Sequence, residues 1–183
     1  MQASGFRRAA SVPARIRETT TLEDSSECRR LMGGLHSRSQ AEQREAAKAV
    51  RDFLESDAQE MAPQGVHGFL AETFRGIEQL LDSGETHLLS GAVIAIHTLM
   101  EVEAEDSTTR LLRFAKYLRT ALAHEANTVE TLHLTSDALG HLARAGGSLT
   151  TEVVDEEAKR ALDLLREEQA RSPEVPRAPH TSL

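Results

Sequence analysis

One apolar pattern occurs three times along the chain at nearly equal intervals, and it limits the folds that this sequence can adopt. The three copies are Ala49-Val50 followed by Phe53, Ala95-Ile96 followed by Leu99, and Ala138-Leu139 followed by Leu142. Their central residues are separated by 46 and 43 residues, within the period of about 40–47 residues that is typical of repeats built from helix pairs. A helix pair of this size cannot bury its own apolar face, so we expect three such units to stack against each other.

The stretch from Glu85 to Ala123 predicts two amphipathic helices joined by a short acidic turn. Apolar residues recur in it at the three- and four-residue spacing of one helical face. These residues are Leu88, Leu89, Ala92, Ala95, Ile96 and Leu99 in the first helix, and Leu111, Phe114, Ala115, Leu118 and Leu122 in the second. A short connection makes two helices antiparallel, and the apolar face left over needs a neighbour on each side.

Start and stop signals predict the helices that precede this pair. A short helix is expected over Leu22–Leu35, with a stop at Gly33-Gly34. Ser39 followed by Glu42 has the form of a capping box, which predicts a helix that continues to about Ser56. The next helix is expected to begin at Pro63 and to end near Asp82, because proline is well tolerated in a first turn.

The same kinds of signal predict two further helices after Ala123. Asn127 followed by Glu130 resembles a second capping box, and Gly146-Gly147 is a usual helix end. Thr150 or Thr151 is expected to cap the last helix. Its inward residues are predicted to be Val154, Ala158, Ala161, Leu162 and Leu165.

These signals together predict an all-α fold, an armadillo/HEAT-type helical-repeat solenoid of about three helix pairs plus a short N-terminal helix. Only 3% of the residues are aromatic, which suits close helix packing better than a sheet sandwich. The expected organisation is a disordered basic tail over residues 1–21, HEAT-like repeats over residues 22–168, and a disordered proline-rich tail over residues 169–183. A bundle of six unrelated helices is the alternative.

The charge pattern disfavours a nucleic-acid-binding surface. The net charge is −8, although residues 1–17 contain four arginines and no acidic residue. Nucleic-acid binding needs clustered lysine and arginine, which the rest of the chain does not offer. Cys28 is the single cysteine, which favours a reducing compartment such as the cytoplasm, and no apolar run approaches the roughly 20 residues of a membrane span.

Motifs that would indicate catalysis or metal binding do not emerge from the residue pattern. The eight histidines are not arranged at metal-ligand spacing, and the acidic run after Met100 lacks the order of a calcium loop. We therefore expect no catalytic residue, no metal and no cofactor in this chain. One alternative is an all-α enzyme that uses His133, His141 and nearby acids with zinc or iron.

The sequence from Leu31 to Leu165 resembles the extreme N-terminus of the TOR (target of rapamycin) kinase, in the PI3K-related kinase family, where its HEAT solenoid starts. The most specific stretch is Arg-Phe-Ala-Lys-Tyr-Leu-Arg at residues 113–119, which is similar to the family's Arg-Phe-Ala-Asn-Tyr-Leu-Arg. Further stretches that carry the resemblance are residues 34–38 (GLHSR), 44–48 (REAAK), 91–96 (GAVIAI), 138–143 (ALGHLA) and 157–162 (EAKRAL).

The resemblance implies a non-catalytic scaffold that contacts other proteins. Partners implied by the family are the remaining HEAT solenoid, the companion subunits of the TOR complexes and a small GTPase, in the cytoplasm or at endomembranes. The kinase motifs of the family are not found in this chain, which departs into a proline-rich tail after about Arg166, so a fragment or a short product is expected. The alternative is a free-standing armadillo-like adaptor. Candidate partner-binding residues, expected to be exposed on the second central helix, are Arg110, Arg113, Lys116 and Arg119.

Overall fold

Helices account for nearly all of the chain that the computed structural model describes, which is residues 26–102 and 107–171 without the side chains of Gln59 and Gln169. The helices are α1 (26–32), α2 (Gln40–Glu55), α3 (Pro63–Asp82), α4 (Thr86–Leu99), α5 (Ser107–Leu122), α6 (Val129–Gly146) and α7 (Thr151–Arg171). Short 3-10 turns lie at Gly33–His36, Asp57–Glu60 and Gly147–Leu149. No strand occurs within these described ranges, which confirms the all-α prediction.

The helices form two layers, and successive helices from α2 to α7 alternate between them. Helix α4 packs between α2 and α6 in one layer, and α5 packs between α3 and α7 in the other. The central residues of the repeated pattern, Val50, Ile96 and Leu139, are all buried and lie on the three helices of the first layer. The three helix pairs α2/α3, α4/α5 and α6/α7 are therefore stacked as the repeat spacing predicts.

Helix α4 is the most enclosed element of the stack. Every residue from Leu89 to Ile96 is buried, because neighbours cover this helix on several sides. One of these neighbours is the turn Gly33–His36, whose backbone approaches Gly91 so closely that an added Cβ would lie 2.2 Å from the carbonyl oxygen of Leu35. The buried Gln43 amide holds the turn in place by donating to the carbonyl oxygens of Ser37 (2.6 Å) and His87 (2.7 Å).

The start of α2 differs in one detail from a capping box. The Ser39 hydroxyl accepts a hydrogen bond from the backbone N–H of Glu42, as predicted. The Glu42 carboxylate does not reach back to the Ser39 backbone, because it accepts from the Ser37 hydroxyl at 2.6 Å. The Ser37 hydroxyl oxygen accepts from the Ser39 N–H at 3.0 Å, so Ser37 mediates the second half of the cap.

The predicted N-cap of α6 at Asn127 is wrong by one residue. Thr128 is the N-cap, and its hydroxyl forms a reciprocal capping box with Thr131. The Asn127 side chain lies beside this cap: its amide oxygen accepts from the Thr131 hydroxyl at 3.1 Å, and its amide nitrogen donates to three carbonyl oxygens at the end of α5. The accepting residues are Ala121 (2.8 Å), Leu122 (3.1 Å) and His124 (3.0 Å).

Helix α7 buries a different set of residues from the one predicted. Ala161 is buried and Val154 and Leu165 are half-buried, but Leu162 is 53% exposed, so its inward assignment is wrong. The inward face includes Glu157 instead, a carboxylate that apolar periodicity cannot detect. The helix begins at Thr151 and continues to Arg171, three residues into the range predicted as a tail.

Several predictions lie outside the described residues. They are the basic tail over residues 1–21, the start of the first helix at Leu22, the acidic turn over residues 103–106 and the tail beyond residue 171. In the described part of the chain, no helix is both long enough and apolar enough to cross a membrane.

Candidate protein-binding surface

The four candidate basic residues lie on α5 at intervals of three residues, and this interval spreads them around the helix. An α-helix turns about 100° per residue, so each step of three residues shifts the side chain by about 60° around the axis. Over three steps from Arg110 to Arg119 the shift is about 180°. The four side chains therefore face different surroundings and do not share one face of the helix.

Arg110 is buried, so the prediction that it is exposed is wrong. Only 8% of its surface is accessible, and its guanidinium donates a hydrogen bond to the carbonyl oxygen of Val102. This contact ties the first turn of α5 to the chain that leaves α4. Arg110 therefore has a structural role in joining the two central helices, and its side chain does not form part of the outer surface.

Arg113 is exposed and lies against an aromatic ring of α3. Its guanidinium carbon is 4.4 Å from the centre of the Phe74 ring, within the range of a cation–π interaction. The Phe74 ring in turn meets Phe114 edge to face, with ring centres 5.9 Å apart. The pairing of Arg113 with Phe74 is not apparent in the sequence, because the two residues lie 39 positions apart on different helices and periodicity alone does not pair them.

Lys116 and Leu112 are exposed on the part of α5 that faces solvent. They are four residues apart, so they lie on the same side of the helix. Leu112 is 44% exposed, and it is one of few large apolar side chains on the described surface. Among the described residues, neither Lys116 nor Arg113 is in an ion pair with a carboxylate, in contrast to Arg119 on the same helix.

Arg119 is committed to contacts within the protein. Its Nε atom lies 2.5 Å from Oε1 of the fully buried Glu157, and one terminal nitrogen lies 3.0 Å from the exposed Glu156. Glu157 is also 3.3 Å from Arg160 on the same helix. Arg119 thus joins α5 to α7, and its positive charge is largely neutralised by these two carboxylates.

Of the four candidates, Arg113 and Lys116 are exposed without a carboxylate partner among the described residues. Together with the exposed Leu112 they form a candidate surface, which we call the α5 patch: Leu112, Arg113 and Lys116. The patch presents one apolar side chain beside two cations that have no carboxylate partner within the described structure. The buried Tyr117 of α5 holds this helix against α3, because its hydroxyl donates to Glu78 of α3 at 2.7 Å. Burial, together with this bond to a carboxylate, raises the pKa of Tyr117 well above its usual range, so the phenol remains a donor at all physiological pH values.

An open cavity of about 400 Å³ lies between the end of α5, the start of α6 and the last turns of α7. Its walls combine the apolar side chains of Leu122, Leu132 and Leu164 with charged groups. Arg160 pairs with Glu157 and Arg171 pairs with Glu168, whereas Glu125, which also lines the cavity, is in no ion pair among the described residues. The two arginines of the wall are therefore engaged within the protein, and one exposed carboxylate does not by itself select a particular ligand.

The histidines considered for metal binding do not come together. His133 is exposed on α6, whereas His141 is half-buried and contacts His97 of α4. Across residues 26–102 and 107–171, no group of three or more histidine, cysteine, aspartate or glutamate residues is arranged to hold a metal ion. The enzyme alternative based on His133 and His141 thus gains no support from their placement.

Comparison with known proteins shows relatives among the TOR kinases. The chain is 34% identical over 140 residues to serine/threonine-protein kinase tor1 of Schizosaccharomyces pombe, a match that covers 75% of this chain and 6% of that kinase. It is 34% identical over 121 residues to the Arabidopsis thaliana serine/threonine-protein kinase TOR, and 30% identical over 119 residues to the rice protein of the same name. These two matches cover 66% and 65% of this chain and 5% of each kinase. Neither a family model nor a solved structure matches the chain.

Proposed function

This chain is homologous to the TOR serine/threonine-protein kinases over 65–75% of its length, and from this relationship we propose that it is a HEAT-repeat scaffold segment that acts by protein–protein contact. The chain spans only about 5–6% of the length of the relatives that it matches. In this proposal the segment holds partners for a kinase domain, and no residue described above performs catalysis. The partners are the rest of the helical solenoid and the companion subunits of a TOR complex.

The observation that carries this proposal is the layered order of the helices. Helices α2, α4 and α6 contact each other in sequence order, as do α3, α5 and α7. An architecture in which each unit packs mainly on its neighbours produces an extended surface, and repeat proteins use such surfaces to bind other proteins. The supporting residues are those of the repeated apolar pattern, all of which lie on the first layer.

The α5 patch is the contact surface that we propose for a partner. An exposed leucine supplies apolar area, and the two neighbouring cations favour a partner segment that carries carboxylates beside an apolar residue. The chain as a whole is acidic, with a net charge of −8, and among the described residues these two cations lie beside an exposed leucine without a carboxylate partner. Since Phe74 restrains the Arg113 side chain, part of the entropy cost of binding is already met in the free protein.

A chimera in fission yeast tests the scaffold proposal. The 140-residue region of tor1 that matches this chain is replaced by the matching residues of this chain, and companion subunits are quantified after purification of the kinase. We expect recovery within about twofold of that seen with unmodified tor1, because such a difference corresponds to less than ~0.5 kcal/mol. A folded, normally abundant chimera that loses its companion subunits would contradict the proposal.

The patch is tested separately in the same strain. Reversal of both charges, Arg113→Glu with Lys116→Glu, is expected to reduce companion recovery about tenfold, since the loss of two favourable charge contacts costs ~1.4 kcal/mol or more. The matched control reverses two exposed charges on α7, Lys159→Glu with Arg166→Glu. Equal recovery with the two double variants would show that the α5 patch is not the contact surface, while the scaffold proposal would remain.

A cytoplasmic or endomembrane location follows from the same proposal. A fluorescent tag on the chimera is expected to show the same distribution as tagged, unmodified tor1. A distribution that differs while companion binding is retained would separate location from scaffolding.

A further inference from the structure

Two histidines from different helix pairs meet in the first layer. His97 lies in the last turn of α4 and His141 lies on α6, and their ring centres are 4.8 Å apart with an angle of 63° between the ring planes. Both rings are partly buried between these helices. This is the one place in the described structure where two side chains that titrate near neutral pH have their rings in contact.

The surroundings of this contact favour neutral rings. The Nδ1 atom of His141 is buried and has no hydrogen-bond partner among the described residues. In the neutral tautomer that carries its hydrogen on Nε2 this nitrogen has only a lone pair, whereas in a protonated ring it would be a charged N–H donor with no acceptor. A buried, unpaired charged donor is much less favourable than an unpaired lone pair, so the described interface does not stabilise a positive charge at this atom.

Charged groups of three helices surround the pair, and their effects partly cancel. Glu101 at the end of α4 and Asp137 on α6 favour a positive charge on His97, whereas Arg144 on α6 opposes it. Glu101 is also held by Arg51 of α2, with 2.5 Å between Nη1 and Oε2, which weakens its effect on the imidazole. Burial is the largest influence, and with the adjacent His141 it lowers the pKa of His97 below its ordinary value.

We propose that the His97–His141 contact makes the packing of α4 against α6 sensitive to protons, so that acidification loosens the junction between the second and third helix pairs. Two positive rings cannot remain in contact at this separation without repulsion, and the buried His141 Nδ1 has no acceptor among the described residues. The interface therefore accommodates protonation by opening. This property is independent of the scaffold proposal, because it depends only on the contact between α4 and α6 within the first layer of this chain.

The direction of the pH effect follows from the pKa of His97. A histidine whose pKa is lower in the folded state than in the unfolded state binds protons preferentially when the protein unfolds. The stabilising effect of the neutral pair is fully present above the ordinary histidine pKa of about 6.5. It is lost progressively as the pH falls from about 6.5 towards the lower pKa of His97 in the folded protein.

Nuclear magnetic resonance titration of the imidazole Cε1 protons in the full chain tests this proposal directly. We expect His97 to titrate below about 6.5, the ordinary histidine value, and the variant His141→Gln to raise the midpoint of His97. The matched control His133→Gln alters the same helix on its exposed side and is expected to leave the midpoint of His97 unchanged. A His97 midpoint at or above 6.5, or no response to His141→Gln, would overturn the proposal.

Thermal unfolding provides a second readout. When the pH is lowered from 7.5 to 5.5, the Tm of the wild-type chain and the Tm of His133→Gln are expected to fall by the same amount. The fall in the Tm of His97→Gln is expected to be at least a third smaller. If His97→Gln loses as much Tm as the control, the contact is not the proton-sensitive element. If the His97→Gln variant fails to fold, the titration of the wild-type chain still decides the question, because it requires no substitution at that position.

Discussion

The Nε atom of Arg119 lies 2.5 Å from Oε1 of Glu157, and this bond joins α5, the second helix of the central pair, to α7. Glu157 has no accessible surface, whereas the Arg119 side chain is 47% exposed. The buried carboxylate therefore depends on a partner that reaches it from the surface. Arg160 provides a second, longer contact at 3.3 Å.

Removal of this partner is expected to destabilise the chain. Arg119→Gln leaves Glu157 buried with only Arg160 beside it, so we expect a loss in the free energy of unfolding that exceeds the loss caused by breaking an exposed ion pair. Chemical denaturation measures this loss. The control is Arg166→Gln, because Arg166 and its partner Asp163 are both exposed and such pairs contribute about 0–1 kcal/mol. Equal effects of the two substitutions would show that the Arg119–Glu157 pair is not buried as described.

Two leucines of α5 are expected to differ sharply in their contribution to stability. Leu118 is fully buried and Leu112 is 44% exposed. We expect Leu118→Ala to cost about 2–5 kcal/mol and Leu112→Ala to cost less than about 0.5 kcal/mol. Leu118→Asp is expected to abolish cooperative unfolding, because an unpaired buried carboxylate costs about as much as the whole stability of a small domain. Unchanged melting of Leu118→Ala would mean that this face of α5 does not form the core.

Two glycines are expected to respond with opposite signs to the same substitution. At Gly91 an added methyl group would lie 2.2 Å from the carbonyl oxygen of Leu35, so Gly91→Ala must displace the turn Gly33–His36 and is expected to cost about 1–3 kcal/mol. At Gly68 an added Cβ meets nothing within 4 Å, and the residue lies inside α3. Gly68→Ala is therefore expected to stabilise the protein by roughly 0.5–1 kcal/mol. Thermal melting of the two variants decides this, and a stabilising Gly91→Ala would contradict the close approach.

Substitution of Asn127 distinguishes its two possible roles. If Asn127 were the N-cap of α6, Asn127→Asp would be tolerated, because aspartate is an equally good N-cap. In the structure its amide donates to three carbonyl oxygens at the end of α5, and a carboxylate cannot donate. We therefore expect Asn127→Asp to lower the free energy of unfolding by about 1–3 kcal/mol. Denaturant titration that gave wild-type stability would support the N-cap role instead.

Much of the fold follows from the sequence, because its helices are defined by apolar spacing and by local stop signals. The pattern around Val50, Ile96 and Leu139 predicts the first layer correctly, since each copy is local to one helix. The cap at Ser39 and the start of α3 at Pro63 are likewise short-range features. The misassigned cap at Asn127 has a different origin, because its actual partners precede it by three to six residues at the end of another helix.

The candidate surface was less predictable than the fold, because exposure depends on contacts between distant residues. The sequence shows four basic residues at equal spacing, but only the fold shows that Arg110 is buried beside Val102 and that Arg119 is paired with Glu157. Leu162 fits an apolar stripe by spacing, yet Glu157 lies on the inward face, and Leu162, five residues further and about 140° around the helix axis, faces outward. Periodicity cannot anticipate a charged residue on an inward face.

The enclosure of α4 has a consequence for the order in which parts of the molecule open. Amide hydrogens of α4 are covered by two flanking helices and by the turn that Gln43 holds in place, so they can exchange with solvent only when the whole stack unfolds. Helix α7 packs mainly on α5 and α6 and has many charged residues at its exposed positions, so we expect its amides to exchange through smaller openings. The chain therefore has a gradient of local stability that falls from its second helix pair towards its last helix, and a partner that covers α7 would make that gradient shallower.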